Sequence, residues 1–131
     1  MPFVTIEEAV ELIRQGQMVI VVDDPDRENE GDLIMAAEDV TSESMNFMIH
    51  AGGVPFISMT PERLERYGVP MMSKVNTARR GTAMGETVDA VYGTSTGVSA
   101  ADRAKTCHVF VDDSADPTHL MRPGHMLTLR G

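Results

Sequence analysis

The stretch Met18-Val19-Ile20-Val21-Val22-Asp23-Asp24-Pro25-Asp26-Arg27-Glu28-Asn29-Glu30-Gly31-Asp32-Leu33-Ile34-Met35-Ala36-Ala37 sets a dense acidic loop between two apolar runs. Short apolar runs bounded by turn-formers read as buried strands, so the loop is expected at their mouth. From Asp23 to Asp32, six carboxylates and one arginine fall within ten residues. Asp24, Asp26, Glu28, Glu30 and Asp32 recur at every second position, which places side chains on one face of an extended chain. Pro25 and Gly31 interrupt that regularity without relieving the crowding. Carboxylates this close raise one another's pKa unless a cation or hydrogen-bond donors neutralise them. Two readings follow: a site for a divalent metal and a polyol, or a solvated acidic hairpin.

Outward from this loop the chain alternates helix and strand signals. Upstream, Thr5-Ile6-Glu7-Glu8 fits a capping box, followed by a helical stripe of Ile6, Ala9, Val10 and Ile13 and a stop at Gly16. Downstream of a strand over Asp32 to Ala37, Thr41 caps a second helix that ends at Gly52-Gly53. Val54 to Met59 reads as a strand with Pro55 at its start, and Thr60-Pro61-Glu62 opens a helix closed by Tyr67-Gly68. From Val69 to Gly85 periodicity fades, which predicts a long surface connection. Thr87 to Tyr92 reads as a strand. The loop Gly93-Thr94-Ser95-Thr96-Gly97 follows, then a helix from a Ser99 cap through Thr106, with Asp102 at the capping-box position. Arg122-Pro123-Gly124-His125 predicts a tight turn before a short strand over Met126 to Arg130. The pattern indicates one α+β domain over residues 1–131, a mixed β-sheet with flanking helices.

Composition bounds the function. The formal charge of -9 argues against a nucleic-acid partner and against docking on an anionic membrane. Cys107 stands alone, which excludes an internal disulfide and a cysteine zinc cluster. No window resembles a membrane span or a secretory leader, so a cytoplasmic location is the expectation.

Three places carry chemistry. The acidic loop does not fit a calcium EF-hand: with Asp26 first, the twelfth place is Ala37 and Glu38 falls one residue late. Magnesium suits it better, because that ion keeps waters and takes one or two protein carboxylates plus substrate oxygens. Such an ion polarises a carbonyl while another carboxylate moves a proton; residue types alone leave open which does which. The Gly93–Gly97 loop runs straight into a helix, so its amides and hydroxyls suit phosphate or sugar oxygens, although a simple helix-capping turn would read the same. His125, fixed by Pro123-Gly124, suits a general acid or base or a hydrogen-bonded turn histidine. His50, His108 and His119 read as structural or surface residues.

Taken together, these motifs resemble the 3,4-dihydroxy-2-butanone 4-phosphate synthase family. The run from Val22 to Ile34 is similar to the family signature. Met59-Thr60, Glu62-Arg63-Leu64, Thr82-Ala83, Val88-Asp89-Ala90, Gly93 to Thr106 and Arg122-Pro123-Gly124-His125 match in order. The resemblance implies a magnesium-dependent carbon–carbon lyase of riboflavin biosynthesis, with manganese as the substitute ion. It would turn D-ribulose 5-phosphate into L-3,4-dihydroxy-2-butanone 4-phosphate and formate by enolisation, dehydration, rearrangement and loss of one carbon. Carried over, Glu28 ligates the metal, and Arg27, Glu28, Asp32, Thr94 and Thr96 contact substrate. His125, Asp32 and Glu30 are the catalytic residues. The resemblance also implies a homodimer with its sites at the subunit interface.

The chain departs from the family pattern at several positions. Gly52 stands in place of a usual arginine, Phe56 of a cysteine, Gly85 of a threonine, and Leu127-Thr128 of Phe-Pro. The family pattern also continues beyond the Pro-Gly-His strand. It runs into an Arg-x-Gly-His-Thr segment, which supplies a metal-ligating histidine and a grip on phosphate, and then to a catalytic glutamate. The 131 residues contain neither. Groups that act in the transition state are each worth orders of magnitude in rate, so a non-catalytic relative that binds sugar phosphate or dimerises is the alternative. A third reading is another sugar-phosphate lyase or isomerase, clamping phosphate through Arg79, Arg80 or Arg122.

Overall fold

The computed structural model describes residues 3–131. Thr5 and Glu8 form the expected reciprocal capping box, and α1 spans Ile6–Arg14. β1 (Val19–Val22) and β2 (Gly31–Ile34) pair antiparallel, with Val22 opposite Gly31, as a two-stranded ribbon of their own. α2 (Ser42–Gly52) opens on the Thr41 cap, and β3 (Phe56–Met59) begins just after Pro55. α3 (Pro61–Arg66) carries proline in its first turn, where a missing N–H costs nothing. The long connection that follows holds one isolated bridge, Met71 to Gly85, before β4 (Met84–Ala90). α4 (Ala100–Val111) and β5 (Leu120–Arg130) complete the chain.

The second sheet has the order β3-β5-β4, with β5 parallel to β3 and antiparallel to β4. The fold is therefore α+β with a mixed sheet, as the sequence predicts. α4 packs against β4 and β5, and α2 against α4. Met45, Ile57, Leu64, Val88, Cys107, Phe110 and Met126 meet in the core between them. Tyr67 joins α3 to the end of α4: its buried ring meets Phe110 edge-on at 5.1 Å, and its hydroxyl donates to the Val109 and Asp112 carbonyls, both at 2.9 Å. Arg63 Nη1 donates to the Phe110 carbonyl at 2.6 Å, so a cation closes the C-terminal turn of α4.

Four expectations need correction. The apolar runs flanking the acidic loop are not buried strands: only Val19 is buried, while Ile20, Val21, Val22 and Ile34 are 69%, 47%, 49% and 39% exposed. A two-stranded ribbon that leans on α1 and α2 at its edges cannot cover both of its faces. β2 ends at Ile34, and Ala37–Asp39 turns into a short 3-10 helix instead of extending the strand. α4 runs on to Val111, past Thr106, because Cys107 and Phe110 continue its buried face. The Pro-Gly-His segment is a bulge within β5 and not a turn before it. Met121 and Met126 face the adjacent residues Asp89 and Val88, so Arg122 to His125 stand out of the ladder.

Two departures from the family pattern meet across β4 and β5, where Gly85 stands opposite Thr128. A Cβ at Gly85 would lie 2.2 Å from Thr128 Oγ1, and that hydroxyl donates to the Glu86 carbonyl at 2.9 Å in a fully buried position. Thr128 thus fills the space that a side chain at position 85 would take. Gly85→Ala is expected to lower stability by about 1–3 kcal/mol, the usual range for overpacking. In a urea-unfolding double-mutant cycle, Gly85→Ala with Thr128→Ala should cost less than the sum of the two single changes.

Candidate active site

The acidic loop is a compact turn organised by Asp23. Its Oδ1 accepts the Glu30 N–H at 2.8 Å, and its Oδ2 accepts the Glu28 N–H and Arg27 Nη1, both at 2.9 Å. The Glu30 amide is the largest influence holding the Asp23 carboxyl below its ordinary value. Desolvation opposes it, and the Glu28 amide and Arg27 add to the lowering. Donors thus neutralise Asp23 despite the surrounding acids. Asp24 Oδ1 accepts the Asp26 N–H at 2.8 Å, an Asx turn, and Asn29 takes a positive φ of 54°. These contacts bend residues 24–30, so the alternating carboxylates do not share one face of an extended chain. Arg27 lies between Asp23 and Glu28, with Nη2 3.2 Å from Glu28 Oε1. Arg80 Nη2 donates to the Arg27 carbonyl at 2.6 Å, tying the long connection onto the loop.

His125 sits on the β5 bulge. Gly124 makes the bulge possible, because a Cβ there would lie 2.1 Å from the Val88 carbonyl carbon. That close approach carries the His125 N–H to Asp89 Oδ1 at 2.8 Å and His125 Nδ1 to Asp89 Oδ2 at 3.0 Å. The Gly124 N–H donates to Thr87 Oγ1 at 3.0 Å. Asp89 is buried in β4, while the His125 side chain is 44% exposed. Sequence reading did not single out Asp89 for a role. The available signal was a carboxylate set directly among Val88, Ala90 and Val91, since a buried charge requires a partner.

Two amides of the Gly93–Gly97 loop are taken by an acid of the chain itself. Asp102 Oδ2 accepts the Ser95 N–H at 3.0 Å, Ser95 Oγ at 3.1 Å and the Gly97 N–H at 2.9 Å. The acid that reads as a capping-box partner of Ser99 therefore caps the preceding loop instead. Ser99 still accepts the Asp102 N–H at 3.1 Å. Thr94 Oγ1 donates to the Ala90 carbonyl at 2.6 Å, whereas Thr96 is exposed. The loop also lies against the histidine partner: a Cβ at Gly97 would fall 2.3 Å from the Asp89 carboxyl carbon.

The structure brings Arg27 and Glu28 together in the acidic loop, and His125 together with the Thr94–Gly97 loop around Asp89. Glu30 and Asp32 are exposed beside Arg27 and Glu28 in sequence. Among the described residues, no hydrogen bond or ion pair joins the acidic loop to His125, and the two lie on separate sheets. No group of three or more His, Cys, Asp and Glu side chains converges to enclose a metal among the described residues. The hard oxygens of Glu28 and its neighbours nevertheless fit a hydrated magnesium ion, which needs one or two protein carboxylates. His108 binds the Val40 carbonyl and His119 lies against Asp116, in keeping with structural roles. Burial pushes the Cys107 thiol up to about 12, which suits packing and not nucleophilic chemistry. No helix among the described residues is long and apolar enough to cross a membrane.

Comparison with known proteins agrees with this architecture. The family model for 3,4-dihydroxy-2-butanone 4-phosphate synthase matches residues 7–131. A 3,4-dihydroxy-2-butanone 4-phosphate synthase of Agrobacterium fabrum is 47% identical over 131 residues, covering 99% of this chain and 62% of that protein. The riboflavin biosynthesis protein RibBA of Aquifex aeolicus is 52% identical, covering 98% of this chain and 32% of that protein. A crystal structure of a 3,4-dihydroxy-2-butanone 4-phosphate synthase in complex with two magnesium ions superposes with a TM-score of 0.93 at 44% identity, covering 98% of this chain and 61% of that one. The chain belongs to the 3,4-dihydroxy-2-butanone 4-phosphate synthase family, and it spans less than two thirds of the length of these relatives.

The Asp102 carboxyl is held below its ordinary 3.8 chiefly by the Gly97 amide, against desolvation, with help from Ser95 and Lys105. A depressed carboxyl stabilises the fold above its unfolded pKa and loses that contribution as pH falls below about 3.8. Asp102→Asn is expected to flatten this acid-side loss in pH-dependent thermal unfolding. It should also speed amide hydrogen exchange at Ser95 and Gly97.

Proposed function

We propose that this chain is a domain of a carbon–carbon lyase acting on D-ribulose 5-phosphate to form L-3,4-dihydroxy-2-butanone 4-phosphate and formate. The family match over residues 7–131, which takes in both the acidic loop and His125, carries this reading. In it the protein is a cytoplasmic homodimer whose sites lie at the subunit interface, so that His125 of one subunit serves the acidic loop of its partner.

Glu28 would hold magnesium, with manganese as a substitute; the bound ion would supply polarisation of the substrate carbonyl. Arg27 holds Glu28 in place from 3.2 Å and contributes positive charge for an anionic sugar. Arg80 braces the same loop through the Arg27 carbonyl. Asp32 meets the sugar hydroxyls and, with Glu30, moves protons from carbon, and His125 exchanges a proton from the other side of the substrate. Thr94 and Thr96 line the pocket; Thr96 is exposed, whereas the Thr94 hydroxyl donates to the Ala90 carbonyl.

Formate release from ribulose 5-phosphate is the deciding assay. Binding without release would favour the alternative, a non-catalytic relative that binds sugar phosphate or dimerises. Magnesium and ribulose 5-phosphate should each raise the melting temperature of the chain, because ligand binding to the native state adds to its stability. No shift at millimolar ligand, with no formate, would overturn a sugar-phosphate function of either kind. Glu28→Gln should weaken magnesium binding about tenfold or more in calorimetric titration while leaving the circular dichroism spectrum unchanged; unaltered affinity would refute the metal assignment.

A further inference from the structure

We propose that Asp89 is the positioning residue for His125, holding the imidazole in its Nδ1–H tautomer so that Nε2 is the working nitrogen. The inference deepens the lyase reading and rests on it for the role of His125, while the orientation of the ring stands on geometry alone. A carboxylate has no hydrogen to donate, so Asp89 Oδ2 at 3.0 Å from Nδ1 requires the hydrogen on Nδ1. The other oxygen takes the His125 backbone N–H at 2.8 Å, so one carboxylate fixes the main chain and the ring together. Nε2 lies on the far side of the ring, on a side chain 44% exposed, with no hydrogen-bond partner among the described residues.

Asp89 itself has little room to move. It is flanked in β4 by Val88 and Ala90, which are 0% and 1% exposed. Two glycines let the chain close on it: Gly124 admits the β5 backbone against Val88 and Asp89, and Gly97 leaves space for the carboxylate. Gly97 also has a φ of 86°, so a side chain there is opposed by both the backbone and the contact. Three separated segments thus converge on a single acid, whose only side-chain partner among the described residues is His125. Such an acid sets tautomer and direction for an imidazole without touching substrate.

The test is histidine-selective long-range proton–nitrogen NMR on the full chain, at a pH where the rings are neutral. In the wild-type protein, His125 should show a protonated Nδ1 and an unprotonated Nε2. Asp89→Asn turns a donor toward Nδ1 and should move the hydrogen to Nε2. In the formate assay the same variant should lower kcat about 100-fold or more with KM changed less than about threefold, within the span of acid–base contributions. A purely structural role for Asp89 would lower the melting temperature without exchanging the tautomer. A wild-type Nε2–H tautomer overturns the proposal even if Asp89→Asn does not fold, and so does an unchanged tautomer in a folded variant. If the wild-type chain releases no formate, the lyase reading fails, and the nitrogen shifts still decide whether Asp89 orients His125.

Discussion

Burying a carboxylate costs several kcal/mol unless donors surround it, and this constraint shapes the half of the chain that carries His125. Asp89 and Asp102 are both buried, and each has gathered its donors from a different stretch of sequence. Asp102 takes the amides of Ser95 and Gly97 and so fixes the loop before α4. Asp89 takes the His125 backbone and ring from the β5 bulge. Gly97 lies against Asp89 and donates to Asp102, so the two acids share one loop wall. No buried side-chain nitrogen or oxygen among the described residues lacks a hydrogen-bond partner. Each donor in such a network lowers the cost of keeping its acid out of water, so losing one weakens the fold locally.

The acidic loop obeys the same rule at the surface with a different outcome. Asp23 collects two amides and Arg27, and its carboxyl is lowered as a result. Asp24 accepts the Asp26 amide and Glu28 pairs with Arg27, while Asp26, Glu30 and Asp32 make no side-chain hydrogen bond or ion pair among the described residues. Asp23 and, through its Asx turn, Asp24 build the loop, and the side chains of Asp26, Glu30 and Asp32 are left exposed. Arg27 mediates between these roles, since one nitrogen braces Asp23 and another reaches Glu28.

Much of the fold was legible because it depends on local chemistry. Thr5, Thr41 and Ser99 cap the helices they were expected to cap, and Thr60 caps the helix expected to open there, since a hydroxyl meets an orphan amide three residues on whatever the tertiary context. The mixed α+β order followed from the succession of apolar periods. The ribbon was misjudged because a short apolar run looks the same whether one face or both are covered. Ile20 and Val22 carry the composition of a core strand on a two-stranded element that has no second layer over it among the described residues. The Pro-Gly-His segment was misjudged for a related reason: a bulge is defined by the register of its partner strand, and that register lies more than thirty residues away, at Val88 and Asp89.

By itself, the sequence determined which residues are crowded together, the acids of the loop and the glycine and histidine of the bulge, because proximity along the chain needs no fold. It also determined the helix starts, which close within a single turn. Tertiary structure alone decided what each acid is for. Whether a carboxylate is a ligand or a brace depends on which donors reach it, and those donors arrive from strands and loops that only packing brings within 3 Å. Asp89 reads in sequence as one more acid in a strand. It became the partner of His125 only when Gly124 let β5 settle against β4.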